Sequence, residues 1–291
     1  MIDEAGEPRL IFEGPDEPWG ELGRPTWSPD GSQLFVSLGY VPGNTWVMDA
    51  DGGNARQLEL PPECGIPAPE GWWADGTSIL FSEFRDVWLG RPGEVPPVLE
   101  RCILDLASGE VEHFTPPADG RWLPDGSILT FVLEGDGQVA YLVDATTGDR
   151  TRLLAADAVA WSPDGQRLAY HRGHRPLGVV ELGLADADGG NVQPIGSGKW
   201  PTWSRDGRFI AYHDSEGADG LWTRLHVITA DGREVARAER SIPAGYWDAV
   251  WLPDSSGFIV YDGTELLLVD LDGAITSLGA GSSPTWRPQD P

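Results

Sequence analysis

Lysine, cysteine and long apolar runs are nearly missing from this chain, and each shortage removes a class of function. Lys199 is the only lysine beside nineteen arginines, while 46 acidic residues bring the formal net charge to −26. A phosphate backbone would be repelled, and no basic stripe exists to overcome the repulsion, so nucleic-acid binding is excluded. No apolar stretch approaches the ~18 residues a membrane-crossing helix needs, so no membrane span is expected. The N-terminus, MIDEAGEPRL, has neither the basic start nor the apolar core of a secretory leader. It reads as a cytosolic chain or one whose leader has been removed. There is no G-x-S-x-G nucleophile elbow and no glycine-rich phosphate cradle, and no stretch keeps an apolar period near 3.6 over three turns. No helix longer than a turn or two is expected.

What the chain has in quantity is tryptophan, glycine and proline: 14, 38 and 25 residues. Seven of the tryptophans open nearly the same phrase: TWSPDG at Trp27, WWADG at Trp73, RWLPDG at Trp122, AWSPDG at Trp161, TWSRDG at Trp203, VWLPDS at Trp251 and TWRPQD at Trp286. The mean spacing, (286 − 27)/6 or about 43 residues, matches the roughly 40 to 50 residues of a four-stranded propeller blade. Within a repeat, Asp-Gly supplies the positive φ angles of a tight hairpin between two β-branched or aromatic runs. A second hairpin follows, as at Asp51-Gly52 in TWVMDADGGNARQLEL. Two hairpins in series give four antiparallel strands, so the class is all-β: a single propeller domain over residues 1–291. Each repeated tryptophan has a packing role first. Burying on the order of 150 to 250 Å² contributes at most about 4 to 6 kcal/mol per site.

The phrase PxWSPDGxxLAY followed by VMDADGGN resembles the repeat of TolB-like β-propellers. Trp27–Gly31 with Val47–Asn54, and Trp161–Gly165 with Leu184–Asn191, are the closest copies; Asp254-Ser255-Ser256 departs most. The likeness covers nearly the whole chain and implies a periplasmic or extracellular propeller. It specifies fold far more than function, because its residues are turn and packing residues. The peptidase activity of prolyl oligopeptidases, which carry a similar propeller, is not implied, since the chain has no room for a hydrolase domain. Six complete repeats, from Trp27, Trp73, Trp122, Trp161, Trp203 and Trp251, predict six blades, with segments 1–26 and 280–291 closing the ring. The alternative is seven blades, the last incomplete, because TWRPQD begins another repeat and EPRLIFEG resembles an outermost strand.

The Asp-Gly turns are short and fall on one end of the blades; longer connections fall on the other and are the place to seek function. Six further aromatics lie in or beside them: Trp19, Trp72, Trp88, Trp200, Tyr246 and Trp247. Trp19, Trp88, Tyr246 and Trp247 are the candidates for gripping a peptide or stacking on a sugar, against a reading as lids over the blade ends. Trp72 and Trp200, each near a repeat tryptophan, are read as lids. Arg172 and Arg175 are candidates for binding carboxylates, against a solvated role. Cys64 and Cys102 fall on the same end of a propeller, so they form either a disulfide closing a loop of about 38 residues, worth about 3 to 4 kcal/mol, or two buried thiols. His171 and His213 each stand ten residues after a repeat tryptophan, and His174 lies nearby. A zinc shared between blades about 10 Å apart requires both rings to lean together, so these are weak metal candidates beside a strand-end reading. The DADGGN turns lack the full calcium-loop pattern. No cofactor, metal or catalytic set is expected. The leading expectation is a monomeric, non-enzymatic propeller that binds a protein or peptide through its long-loop face. The alternative is a metal-dependent enzyme acting on a carbohydrate or lactone in the central channel.

Overall fold

The computed structural model describes Ile11 and residues 25–37, 45–58, 67–73, 75–83, 101–116, 121–123, 126–135, 137–174, 179–216, 222–239, 241–243, 249–281 and 284–286. These residues form six consecutive antiparallel sheets and no helix. The sheets are blade 1 (Thr26–Trp27, Gln33–Ser37, Thr45–Asp49, Arg56–Gln57), blade 2 (Pro67–Trp72, Ser78–Glu83, Arg101–Asp105, Val111–Phe114) and blade 3 (Arg121–Trp122, Ser127–Glu134, Gly137–Asp144, Arg150–Ala155). Blade 4 follows (Ala158–Trp161, Arg167–His174, Val179–Asp186, Gln193–Ser197), then blade 5 (Lys199–Trp203, Phe209–Glu216, Trp222–Thr229, Glu234–Arg237) and blade 6 (Val250–Trp251, Gly257–Tyr261, Glu265–Asp270, Ile275–Ala280). In each, four strands pair in chain order; blade 5 adds Ile242–Pro243 beside its third strand. This is the six-bladed β-propeller architecture that the repeat spacing predicts. Backbone contacts divide the chain into two compact units, Met1–Asp119 with Thr285–Pro291, and Gly120–Pro284.

The repeated phrase now has a mechanism. Ser28 Oγ donates to Asp30 Oδ1 at 2.6 Å and accepts the Gln33 N–H at 2.9 Å, tying the turn to the next strand. Ser162, Asp164 and Arg167 repeat the arrangement, as do Ser204, Asp206 and Phe209. The later turns are equally self-contained: Asp49 accepts from the Asn54 amide at 2.6 Å, Asp51 from the Gly53 N–H at 2.8 Å, and Asp188 from the Gly190 N–H at 2.8 Å. Their carboxylates are taken by their own turns, which is why calcium-like spacing is here a hairpin device.

The tryptophan indoles fasten neighbouring blades. Trp72 Nε1 donates to the Thr26 carbonyl at 3.0 Å, Trp203 to Ala160 at 3.0 Å and Trp251 to Thr202 at 3.2 Å, each acceptor standing just before the preceding blade's tryptophan. Apolar clusters lie between the same blades: Phe35, Ile79 and Phe81 with Trp72; Ala169 and Leu182 with Trp203; Leu225 and Phe258 with Trp251. The register corrects one expectation. Trp72, not Trp73, occupies the repeat position, because it pairs with Ile79 as Trp27 pairs with Leu34 and Trp161 with Leu168. WWADG aligns with WSPDG from its first tryptophan, so Trp72 is an interblade anchor and not a lid.

Hydrogen bonds from Ser28 and then from Ser32 hold the Asp30 carboxyl down at about 2, and Ser162 and Ser256 lower Asp164 and Asp254 likewise. A carboxylate with a depressed folded pKa contributes stability above its unfolded value near 4, and that contribution is lost as pH falls through the folded value. The melting temperature should therefore fall between pH 4 and about 2. The combined Asp30→Asn, Asp164→Asn and Asp254→Asn variant should flatten that decline in a thermal melt series. An unchanged slope would remove these turns from the account of acid unfolding.

Candidate functional site

The long-loop end of blades 4 and 5 assembles from their second strands. His171 stands opposite Ala158 and Leu182, and His213 opposite Lys199 and Leu225. The two histidines thus hold equivalent places on adjacent blades, as their shared spacing predicts. Both are buried, at 5% and 1% exposure. Burial lowers the His171 pKa, with Asp157 opposing and Lys199 assisting. Burial pushes His213 down to about 4, with His226 adding to the effect. His171 Nδ1 accepts the Trp200 backbone N–H at 3.2 Å, which leaves the ring proton on Nε2. His226 stacks on Tyr212 with centroids 5.1 Å apart, its Nδ1 3.7 Å from Glu234 Oε1.

On the other face of the same blade 4 strand, Tyr170 and Arg172 enter a polar network. Glu181 accepts from the Tyr170 hydroxyl at 2.9 Å and from Arg172 Nη2 at 2.7 Å. Burial, then the Glu181 hydrogen bond, raises the Tyr170 pKa. Arg172 is thus committed to Glu181 inside the blade. Gly183 is the floor of this network, since a Cβ there would lie 2.3 Å from the Tyr170 hydroxyl oxygen. In blade 2 the buried Arg101 pairs with Glu70 at 2.9 Å, an ion pair that nothing in the local sequence singles out.

Trp200 departs from every other residue here. Its φ is +54°, which for a bulky side chain costs about 1 to 2 kcal/mol. It sits in the irregular register between Lys199 and Thr202, its ring edge-on to His171 at 4.8 Å, and it is 44% exposed. Leu133 and Trp222 are also exposed at the long-loop ends of their blades, whereas the exposed Val192 and Val235 lie at the short-turn end.

Of the residues singled out from sequence, His171 and Arg172 stand on the second strand of blade 4 and His213 on that of blade 5. Trp19, Trp88, Arg175, Tyr246, Trp247 and Cys64 lie outside the described residues, as does the side chain of His174, whose backbone ends the second strand of blade 4. Cys102 is buried, with Sγ 3.4 Å from His113 Nδ1. Among the described residues, no three His, Cys, Asp or Glu side chains converge as a metal ion would require. His226 and Trp222 were not visible from spacing: both stand on a third strand, away from the repeated phrase.

The buried imidazole of His213 should stay neutral until the pH approaches about 4. Because its folded pKa is depressed, the unfolded chain binds the extra proton first, and stability declines as pH falls from about 6.5 towards that value. A proton NMR titration checks this: a His213 midpoint above 6 would show the ring to be solvated.

No protein-family model matches the chain, and neither does any curated protein. Solved structures do match. A prolyl endopeptidase superposes with a TM-score of 0.62 at 14% identity, over 94% of this chain and 44% of its own length. TolB from Agrobacterium tumefaciens matches at 0.50 and 19% identity, over 81% of this chain and 84% of its own. The fold is that of a TolB-like β-propeller. An oligogalacturonate lyase in complex with manganese shares it, at 0.53 and 18% identity, over 81% and 72% of the two chains. At these identities the TolB-like propeller is established as architecture, and one architecture carries unrelated functions. The chain spans less than half the length of the prolyl endopeptidase it matches. Among the described residues, no helix is long and apolar enough to cross a membrane.

Proposed function

We propose that this chain is a non-enzymatic TolB-like propeller that binds a protein or peptide through its long-loop face. The observation that carries the reading is the placement of Leu133, Trp200 and Trp222 as exposed apolar groups at that end. Exposed tryptophan beside loops of varied sequence is the composition of a recognition surface. Two arginines at that end are engaged within their own blades: Arg172 with Glu181, and Arg224 with the carbonyls of Ala238 and Glu239. Periplasmic or extracellular residence and a monomeric state belong to the same proposal.

Affinity capture from an extract of the source organism tests it, comparing the parent with Trp88→Ala/Trp247→Ala and with the opposite-end variant Val192→Ser/Val235→Ser. The expected result is one stoichiometric protein, kept by the opposite-end variant and lost by the first. Equal recovery by all three would overturn the assignment of the face.

The second reading is a metal-dependent enzyme acting on a carbohydrate or lactone, favoured by the two equivalent histidines and by the shared fold of a manganese-bound lyase. Stoichiometric metal in chelator-free protein, with a thermal shift on adding Mn, Ca or Zn, would bring it forward.

A further inference from the structure

The inference concerns Trp200 and rests on the long-loop face being the binding surface. The residue three places before the anchor tryptophan is Arg24, Pro69, Asp119, Ala158 or Asp248 in the other blades and Ser283 in the terminal repeat; only blade 5 has an aromatic there. Its left-handed backbone would suit glycine or asparagine, yet it carries the largest side chain available. Such strain persists only where the surroundings over-determine it, and here they do. The backbone N–H is held by His171 Nδ1, and the ring is braced edge-on by the same imidazole. Gly198 packs so closely that a Cβ would lie 2.4 Å from the Tyr212 ring. A half-exposed indole is therefore kept in one pose at a conformational cost that packing alone would not require.

We propose that Trp200 is a pre-organised stacking platform, positioned by His171, for a guanidinium group on a basic peptide segment of the partner. Charge argues for the basic partner. The chain carries −26 overall, and Glu134, Asp157 and Asp214 lie at the long-loop ends of blades 3 to 5. Arg172 and Arg224 are engaged within their own blades, and Lys199, beside Trp200, and Asp157 act on His171 with opposite sign. A field of this sign steers cations inward. Arginine combines that charge with a planar face that stacks on an indole.

The test uses the full chain and an arginine–glycine repeat peptide, with a lysine–glycine peptide of equal length as control, followed by calorimetry and by the Trp indole N–H signals in NMR. Trp200→Asn should melt no lower than the parent, because asparagine tolerates the left-handed backbone, while its affinity for the arginine peptide falls about tenfold or more. Trp200→Phe should keep an intermediate affinity, and the lysine peptide should bind the parent more weakly. A melting temperature several degrees lower in Trp200→Asn would make the indole a structural lid and overturn the proposal. So would equal binding of the two peptides, or no binding to the parent. If the arginine peptide binds parent and Trp200→Asn alike, Trp200 is dismissed while the face stands, and the capture experiment decides the latter separately.

Discussion

Gly189→Ala should destabilise the protein by about 2 to 5 kcal/mol in urea unfolding, whereas Gly165→Ala should cost only about 1 to 2. Both glycines close an Asp-Gly turn with similar backbone angles, φ +81° and +69°, so both variants pay the same left-handed penalty. They differ in their neighbours. A Cβ on Gly189 would lie 2.3 Å from the Leu153 carbonyl oxygen, and 2.6 and 2.9 Å from its carbonyl carbon and Cα, while nothing approaches Gly165 within 4 Å. The turn between the third and fourth strands of blade 4 rests on the backbone of the outer strand of blade 3. Backbone cannot rotate aside as a side chain can. Gly273 repeats this contact against Arg237, with the Glu239 N–H donating to the Gly273 carbonyl at 2.9 Å, and Gly52 repeats it against Ile11. Equal losses for the two variants would show that conformational strain alone acts and that the close approach can relax.

Trp251→Ala should be the most damaging single truncation in blade 6, at about 3 to 5 kcal/mol. Trp251 is 4% exposed, stacks with Phe209 at 6.4 Å and meets Phe258 at 5.3 Å, and donates to Thr202. Truncation removes the packing and also leaves the Thr202 carbonyl without its indole donor. Trp251→Phe separates the two effects, since it keeps most of the ring contact and loses only the donor, with an expected cost of about 1 to 2 kcal/mol. A Phe variant as weak as the Ala variant would make the hydrogen bond, and not the apolar cluster, the dominant interaction.

The repeats, the four-stranded blades and the turn chemistry were legible in the sequence because each is local. Serine, aspartate and glycine within a few residues determine a hairpin whatever surrounds it. The double tryptophan of blade 2 was misread because spacing cannot choose between adjacent identical residues; the choice between Trp72 and Trp73 is made by pairing with Ile79. The equivalence of His171 and His213 was readable from spacing, but not their burial, nor the electrostatic effect on His213 of His226, which comes from a different strand. Sequence position reads Trp200 as a lid and says nothing of its φ. Its pose depends on the irregular pairing around Lys199 and on an imidazole 29 residues away.

The indole hydrogen bonds of Trp72, Trp203 and Trp251 run one way, from a blade's tryptophan to the blade before it. The fold behaves in consequence like a one-dimensional lattice, in which free energy is a sum of blade terms and nearest-neighbour couplings. Damage to one tryptophan weakens a single coupling and leaves remote blades unaware of it. In amide exchange, loss of the Trp251 indole should therefore shorten protection in blades 5 and 6 together while blades 3 and 4 keep theirs. Such an array tolerates drift in any one repeat, which is how Asp254-Ser255-Ser256 can replace the usual turn in blade 6 without loss of its four strands.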